Sequence, residues 1–185
     1  MTSAWWLGGV AAVVLLWLLI VYNTLVSKRN AVNNAESGVD VQLKKRFELI
    51  PNLVATVKGY MAHERGLLER LAAIRSEALS AGAGKRAELS EEAARAMETV
   101  FAAVEAYPDL KASAGVLHLQ RSLAEIEEQI AAARRFFNAA VTSYNDTVQS
   151  FPAALVAGAF GFAPRTWLSA DAQERTRPAA DFPHP

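Results

Sequence analysis

The chain has no cysteine among its 185 residues. That excludes a disulfide framework, a thiolate metal site and a thiol nucleophile. It also has no net charge, with 19 basic residues balancing 19 acidic ones, which argues against a general nucleic-acid binder. No alternating apolar–polar run lies between turn residues, so strands are not expected. The absence that constrains most is local: no charged side chain occurs before Lys28.

Within that uncharged opening, Ala4 to Tyr22 reads AWWLGGVAAVVLLWLLIVY. At ~1.5 Å of helical rise per residue this run matches the hydrocarbon thickness of a bilayer. A secretory signal would want a basic start, a shorter apolar stretch and a small-x-small cleavage site. Residues 2–7 (TSAWWL) hold no Lys or Arg, and no such site separates the run from Lys28. Trp5 and Trp6 at one end and Tyr22 at the other suit the two aromatic interface belts. Lys28, Arg29, Lys44, Lys45 and Arg46 all follow the span, so the positive-inside bias puts the amino terminus outside and the body in the cytoplasm. The expected organisation is a transmembrane anchor over 1–27, a helical bundle over 28–162 and a flexible tail over 163–185.

The body is rich in Ala, Leu, Arg and Glu, strong helix formers. Val39, Leu43, Phe47, Ile50, Val54, Val57 and Met61 recur in steps of three and four, and the stripe continues through Leu67, Leu68, Leu71 and Ile74. The phase survives Pro51, which predicts one kinked but continuous helix from Lys28 to Leu79, roughly 80 Å long. Gly82 and Gly84 mark a break over 80–89, and Ser90 followed by Glu91 and Glu92 reads as a helix start. That second helix carries Ala94, Met97, Val100, Phe101 and Val104 on one face and stops at Tyr107-Pro108. A third begins near Ser113. Its seam runs Val116, Leu119, Leu123, Ile126, Ile130, Ala133, Phe137, Val141, Tyr144, Val148, Phe151, and Pro152 limits it. The expected fold is therefore all-α, an N-terminal transmembrane helix continuing into a long antiparallel bundle of three to four helices. The closing segment PAALVAGAFGF would return to its membrane-proximal end.

Sites of chemistry are scarce. His63-Glu64 opens a zinc-protease pattern, but Leu67 stands where its second His belongs. Gly82-Ala83-Gly84-Lys85 lacks the frame, the Ser/Thr and the preceding strand of a phosphate loop. Asn145-Asp146-Thr147 matches a glycosylation acceptor but lies in a patterned helix expected in the cytoplasm. Glu125, Glu127 and Glu128 fall off the apolar seam and read as a solvated face. Asp40 reads as a partner of Lys44 one turn on, or as a fixed polar contact between helices or subunits. Asparagine is the unusual polar residue, at Asn23, Asn30, Asn33, Asn34, Asn52, Asn138 and Asn145. Asn is a mediocre helix former. These residues are either tolerated on the surface or fix helix register, with Tyr144 and Asn145 expected to reach the first helix. No catalytic, cofactor or metal residue is identified.

The segments YNTLVSKRNAVNNAESGVDVQLKKRFELIPNLVATVKGYMAHE (from Tyr22), EAYPDLKAS (from Glu105) and IAAARRFFNAAVTSYNDTVQSFPAALVAGAFGF (from Ile130) occur in this order after the anchor. On these segments, and above all on DVQLKKR, LIPNLV and FGF, the chain is identified as resembling the LemA family. Two positions depart from it: Glu36 stands where the family usually has Trp, and Ala139 follows Asn138 where Asp is common. The resemblance implies a bacterial inner-membrane protein with a long-helix bundle and no established catalytic activity. It further implies relatives linked to magnetosome membrane formation, and genes near those for membrane proteases or TPM-type domains.

The reading that follows is a non-enzymatic, membrane-anchored helical scaffold, without cofactor, that self-associates or recruits membrane partners at the inner membrane. Its candidate structural and interaction residues are Tyr22, Asn23, Asn30, Asp40, Pro51, Asn52, Tyr144, Asn145, Phe151, Pro152, Phe160, Gly161 and Phe162. Within this set Phe151–Phe162 either binds partners or plugs the bundle. The alternative is a signalling or stress-sensing subunit, hinged at Pro51, that acts with a membrane protease or TPM-type partner.

Overall fold

A computed structural model describes residues 2–168, with side chains throughout except at 2–4, 7 and 62. Among the described residues there is no strand, and the elements are α1 (Thr2–Val57), a 3-10 turn (Ala62–Glu64), α2 (Arg65–Ser80), α3 (Ala83–Val104), α4 (Pro108–Lys111), α5 (Ala114–Gln149) and α6 (Ala153–Ala159). The all-α expectation holds. The chain divides into two compact units: one joins the residues up to Arg29 with those from Phe137 on, and the other is Asn30–Phe136. Helices α1 and α5 supply residues to both.

In the Asn30–Phe136 unit the core is one cluster. Phe47, Ile50, Leu53 and Val57 of α1 meet Leu68, Leu71, Ile74 and Ala78 of α2, and Ala93, Met97, Val100 and Val104 of α3 close the other side. Each of these sets recurs every three or four residues, so helical pitch turns it into a single buried stripe. Removing a fully buried side chain such as Leu71 would cost about 2–5 kcal/mol, the transfer term plus the cavity left behind. Helices α2 and α3 form an antiparallel hairpin: Arg70 bonds Glu92, while Arg86 bonds the Ala78 and Ala81 carbonyls. Gly115 of α5 lies against Thr56 near the end of α1, and α5 then runs back along it to Glu127, which meets Arg46.

The first long helix is shorter than the stripe predicts. Helix α1 passes through the exposed Pro51 without interruption and ends at Val57, so the expected single helix to Leu79 is broken over residues 58–64. The stripe hid the break because Met61 is fully buried in the turn, just where a helix would have put it. Gly59 is the residue there whose backbone is costly to hold in a helix. The second correction is the start of α3. Its N-cap is Gly82, with extended φ −69° and ψ 167°, so the break shrinks to Ala81-Gly82. Ser90 is no cap; it lies two turns inside α3, completely buried. Ser113 does cap α5, its hydroxyl accepting from the Val116 amide at 3.2 Å. The seam of α5 stays buried or half-buried to Val148, but Phe151 is 84 % exposed.

Candidate functional site

Two polar nodes lock the Asn30–Phe136 unit. Arg46 is only 2 % exposed; its Nη1 donates to the Ser90 carbonyl (2.9 Å) and hydroxyl (2.7 Å), and its Nη2 to Glu127 of α5. Three helices thus meet on one guanidinium, whose planar fork can serve several acceptors at once. Glu127, expected on a solvated face, is instead its counter-ion. A glutamate one step off an apolar seam leaves the two roles indistinguishable in sequence.

Asp40 forms the second node. It pairs with Lys44 at 2.9 Å within α1 and with Arg86 of α3, so both the local and the interhelical readings of this residue hold. Burial alone would push its carboxyl up. The hydrogen bonds from Lys44 and Arg86, with their charges, outweigh burial and hold it below the ordinary aspartate value.

The other unit carries most of the remaining singled-out residues. Lys28 Nζ of α1 donates to Ser143 Oγ of α5 at 2.7 Å. Six residues back along α1 is Tyr22, and its ring meets Phe160 edge-on at 5.1 Å and Phe162 at 5.8 Å. Arg29 lies over the Phe162 ring, 5.0 Å from its centroid. Between the two phenylalanines Gly161 adopts φ +72°, and the Phe162 amide donates back to the Ala157 carbonyl at 2.9 Å. This is a Schellman closure of α6, whose left-handed residue favours glycine. Val156, Ala157 and Phe162 point inward, whereas Phe151, Leu155 and Phe160 are largely exposed. The closing segment therefore packs inward on one face only.

Asn145 and Tyr144 direct their hydrogen bonds to the C-terminal segment rather than to α1. They and Asn138 hold the extended residues 163–168 against α5. Asn145 Nδ2 donates to the Arg165 carbonyl (2.8 Å), and the Arg165 amide donates to Asn145 Oδ1 (2.8 Å). Asn138 repeats the arrangement on Leu168, at 3.1 and 2.9 Å. Tyr144 donates its hydroxyl to the Ala163 carbonyl (3.1 Å), and Trp167 Nε1 donates to Thr142 Oγ1 (3.0 Å). The spacing explains the match. Seven helical residues from Asn138 to Asn145 rise ~10.5 Å, and three extended residues from Arg165 to Leu168 span ~10 Å. The first part of the expected tail is thus a strap fixed to α5; residues 169–185, with His184, lie outside the described residues.

Asn23, Asn30 and Asn52 are exposed on α1. His63 is exposed in the 3-10 turn. Among the described residues no three of His, Asp and Glu gather to hold a metal. The signal for the strap was present as Asn138 and Asn145 two turns apart, with Thr142 between them.

The N-terminal part of α1 is long and apolar enough to cross a membrane. Val13, Leu15, Leu16 and Leu19 on it are each more than 60 % exposed. Fold and site together define an all-helical, membrane-associated protein whose polar groups hold helices and strap in place.

The chain belongs to the LemA family, whose model matches residues 35–182. It is similar to the magnetosome protein MamQ 2 of Paramagnetospirillum magneticum, at 25 % identity over 90 % of this chain and 69 % of that one. It is likewise similar to the magnetosome protein MamQ of Magnetospirillum gryphiswaldense, at 25 % identity over 78 % of this chain and 63 % of the relative. The protein LemA of Metamycoplasma hominis is 27 % identical over 70 % of this chain and 60 % of its own length.

Proposed function

We propose that this protein is a single-pass, membrane-anchored scaffold of the bacterial inner membrane, with its amino terminus outside and its helical body in the cytoplasm. It works by self-association and by recruiting membrane partners, without catalysis. The observation that carries this reading is the exposed apolar stretch of α1, which needs a lipid or protein environment to cover it. The orientation rests on Lys28 and Arg29, which follow that stretch at once. The scaffold role is supported by what the polar residues do: Arg46, Asp40, Asn138 and Asn145 are each engaged in holding one element to another.

Chemical cross-linking in native membranes, followed by native electrophoresis, tests the proposal. A ladder of species larger than the monomer is expected. A strictly monomeric protein without partners would overturn it.

A further inference from the structure

The register within the unit that joins the residues up to Arg29 with those from Phe137 on fixes where α6 stands. Lys28 bonds Ser143, and the helices run antiparallel there, because Tyr22, earlier in α1, meets Phe160 and Phe162, later in the chain. Six residues back from Lys28 and six forward from Ser143 both cover ~9 Å, so the end of α5 at Gln149 lies level with Tyr22. Tyr22 is also the last residue of the apolar run. The segment after α5 therefore sits where that run ends.

What it exposes there is apolar. Phe151 is 84 % exposed, Leu155 67 % and Phe160 61 %. Their neighbours Val156, Ala157 and Phe162 already fill the inward side, so much of the surface of these three is left uncovered by the fold. Arg29, itself exposed, stands on Phe162 at the same end. Aromatic and aliphatic side chains beside a cation, at the end of an apolar span, match the water–lipid boundary, where amphipathic helices lie with their apolar face in the acyl region. We infer that α6, with Phe151 and Phe160 flanking it, is a second membrane-contacting element that beds into the lipid surface next to the point where α1 emerges. This rests on the anchor reading of α1. It adds that the membrane binds the fold at two places, one at each end of the Tyr22 ring contact.

The absence of native cysteine makes the test direct. Full-length protein carrying one of Phe151→Cys, Leu155→Cys or Phe160→Cys is labelled with an environment-sensitive fluorophore and reconstituted in vesicles of acyl-brominated phosphatidylcholine and phosphatidylglycerol. Leu16→Cys reports the span, and the exposed Ala139→Cys, ten residues or ~15 Å before the end of α5, reports the aqueous side. Labels at 151 and 155 should be quenched several-fold more than at 139, approaching the label at 16. Leu155 makes no ring contact, so its variant stays informative if Phe160→Cys disturbs Tyr22. Quenching at 151 and 155 no greater than at 139, with 16 quenched, overturns the inference and leaves the anchor standing. Labels at 151 and 155 that stay unquenched but cross-link to another protein assign the face to that protein and also overturn it. An unquenched label at 16 overturns both readings.

Discussion

The hold of Asn145 on Arg165 is the sharpest place to test this structure. Asn145 is 2 % exposed and spends both ends of its amide on one residue, at 2.8 Å each. Asn145→Ala removes both bonds. A hydrogen bond contributes about 0.5–1.5 kcal/mol net, so the pair contributes about 1–3 kcal/mol. Arg165 is exposed, so its freed peptide groups return to water and add no penalty of burial. The loss is therefore local: the strap opens while the helices stay folded. At 1.4 kcal/mol per factor of ten, amide exchange at Arg165 should accelerate by roughly 5- to 150-fold. Asn145→Asp separates the two bonds. It keeps an acceptor for the Arg165 amide but sets a carboxylate against the Arg165 carbonyl, in a buried position that disfavours charge. It should do at least as much damage as Ala. Hydrogen exchange of the full chain, resolved at residues 165 and 168, reads both. Unchanged protection at Arg165 in Asn145→Ala would refute the reasoning, and so would global unfolding without selective opening. Because Asn138 grips the same strap, the double variant Asn138→Ala/Asn145→Ala should lose less than the sum of its parts.

Glu127→Ala should lower the stability of the body by about 1–3 kcal/mol in chemical denaturation, since it strands a buried guanidinium; the figure is held down by the 41 % exposure of Glu127. Arg46→Met should cost less than Glu127→Ala, because it removes the buried charge itself and lets the Ser90 hydroxyl turn back to its own helix. Gly161→Ala, at φ +72°, should cost about 1–2 kcal/mol, read as a lower thermal midpoint and loss of the Tyr22–Phe162 ring-current shifts. Asp40 has a lower pKa folded than unfolded, so the unfolded state takes up protons first on acidification. Its stabilising contribution is then complete well above pH 3.8 and lost as pH falls through the folded value. The stability difference between wild type and Asp40→Asn, followed by denaturation from pH 6 to below pH 3, should shrink at the acid end; a difference independent of pH would remove the Lys44 and Arg86 account.

Helices and their buried faces were legible because burial on a helix has a period. The stripes through Val39–Val57 and Val116–Val148 fixed α1 and α5 and their mutual packing. What escaped has no period. The turn at residues 58–64 keeps Met61 buried and so counterfeits a helical step. Ser90 has the residue type of a cap and the position of a buried acceptor, and only the arrival of Arg46 from forty-four residues away decides between them. Residues 163–168, with a proline and no apolar rhythm, look like a frayed end. Their order comes from Asn138, Asn145, Tyr144 and Thr142 on another element. The asparagines themselves were visible, but a side-chain amide does not announce whether it will meet a helix or an extended chain.

Asn138 and Asn145 grip the strap through its peptide groups. Arg165 and Leu168 are recognised by their N–H and C=O, which every residue but proline offers in the same place. These two asparagine amides are consequently blind to the side chains of the residues they hold. Proline is barred from 165 and 168, because each must offer its N–H to an asparagine, while the path of the backbone is held by groups that other residues supply equally well. Pro164 is admitted because nothing asks for its missing donor. Divergent tails can in this way keep an identical course along an unchanging pair of asparagines.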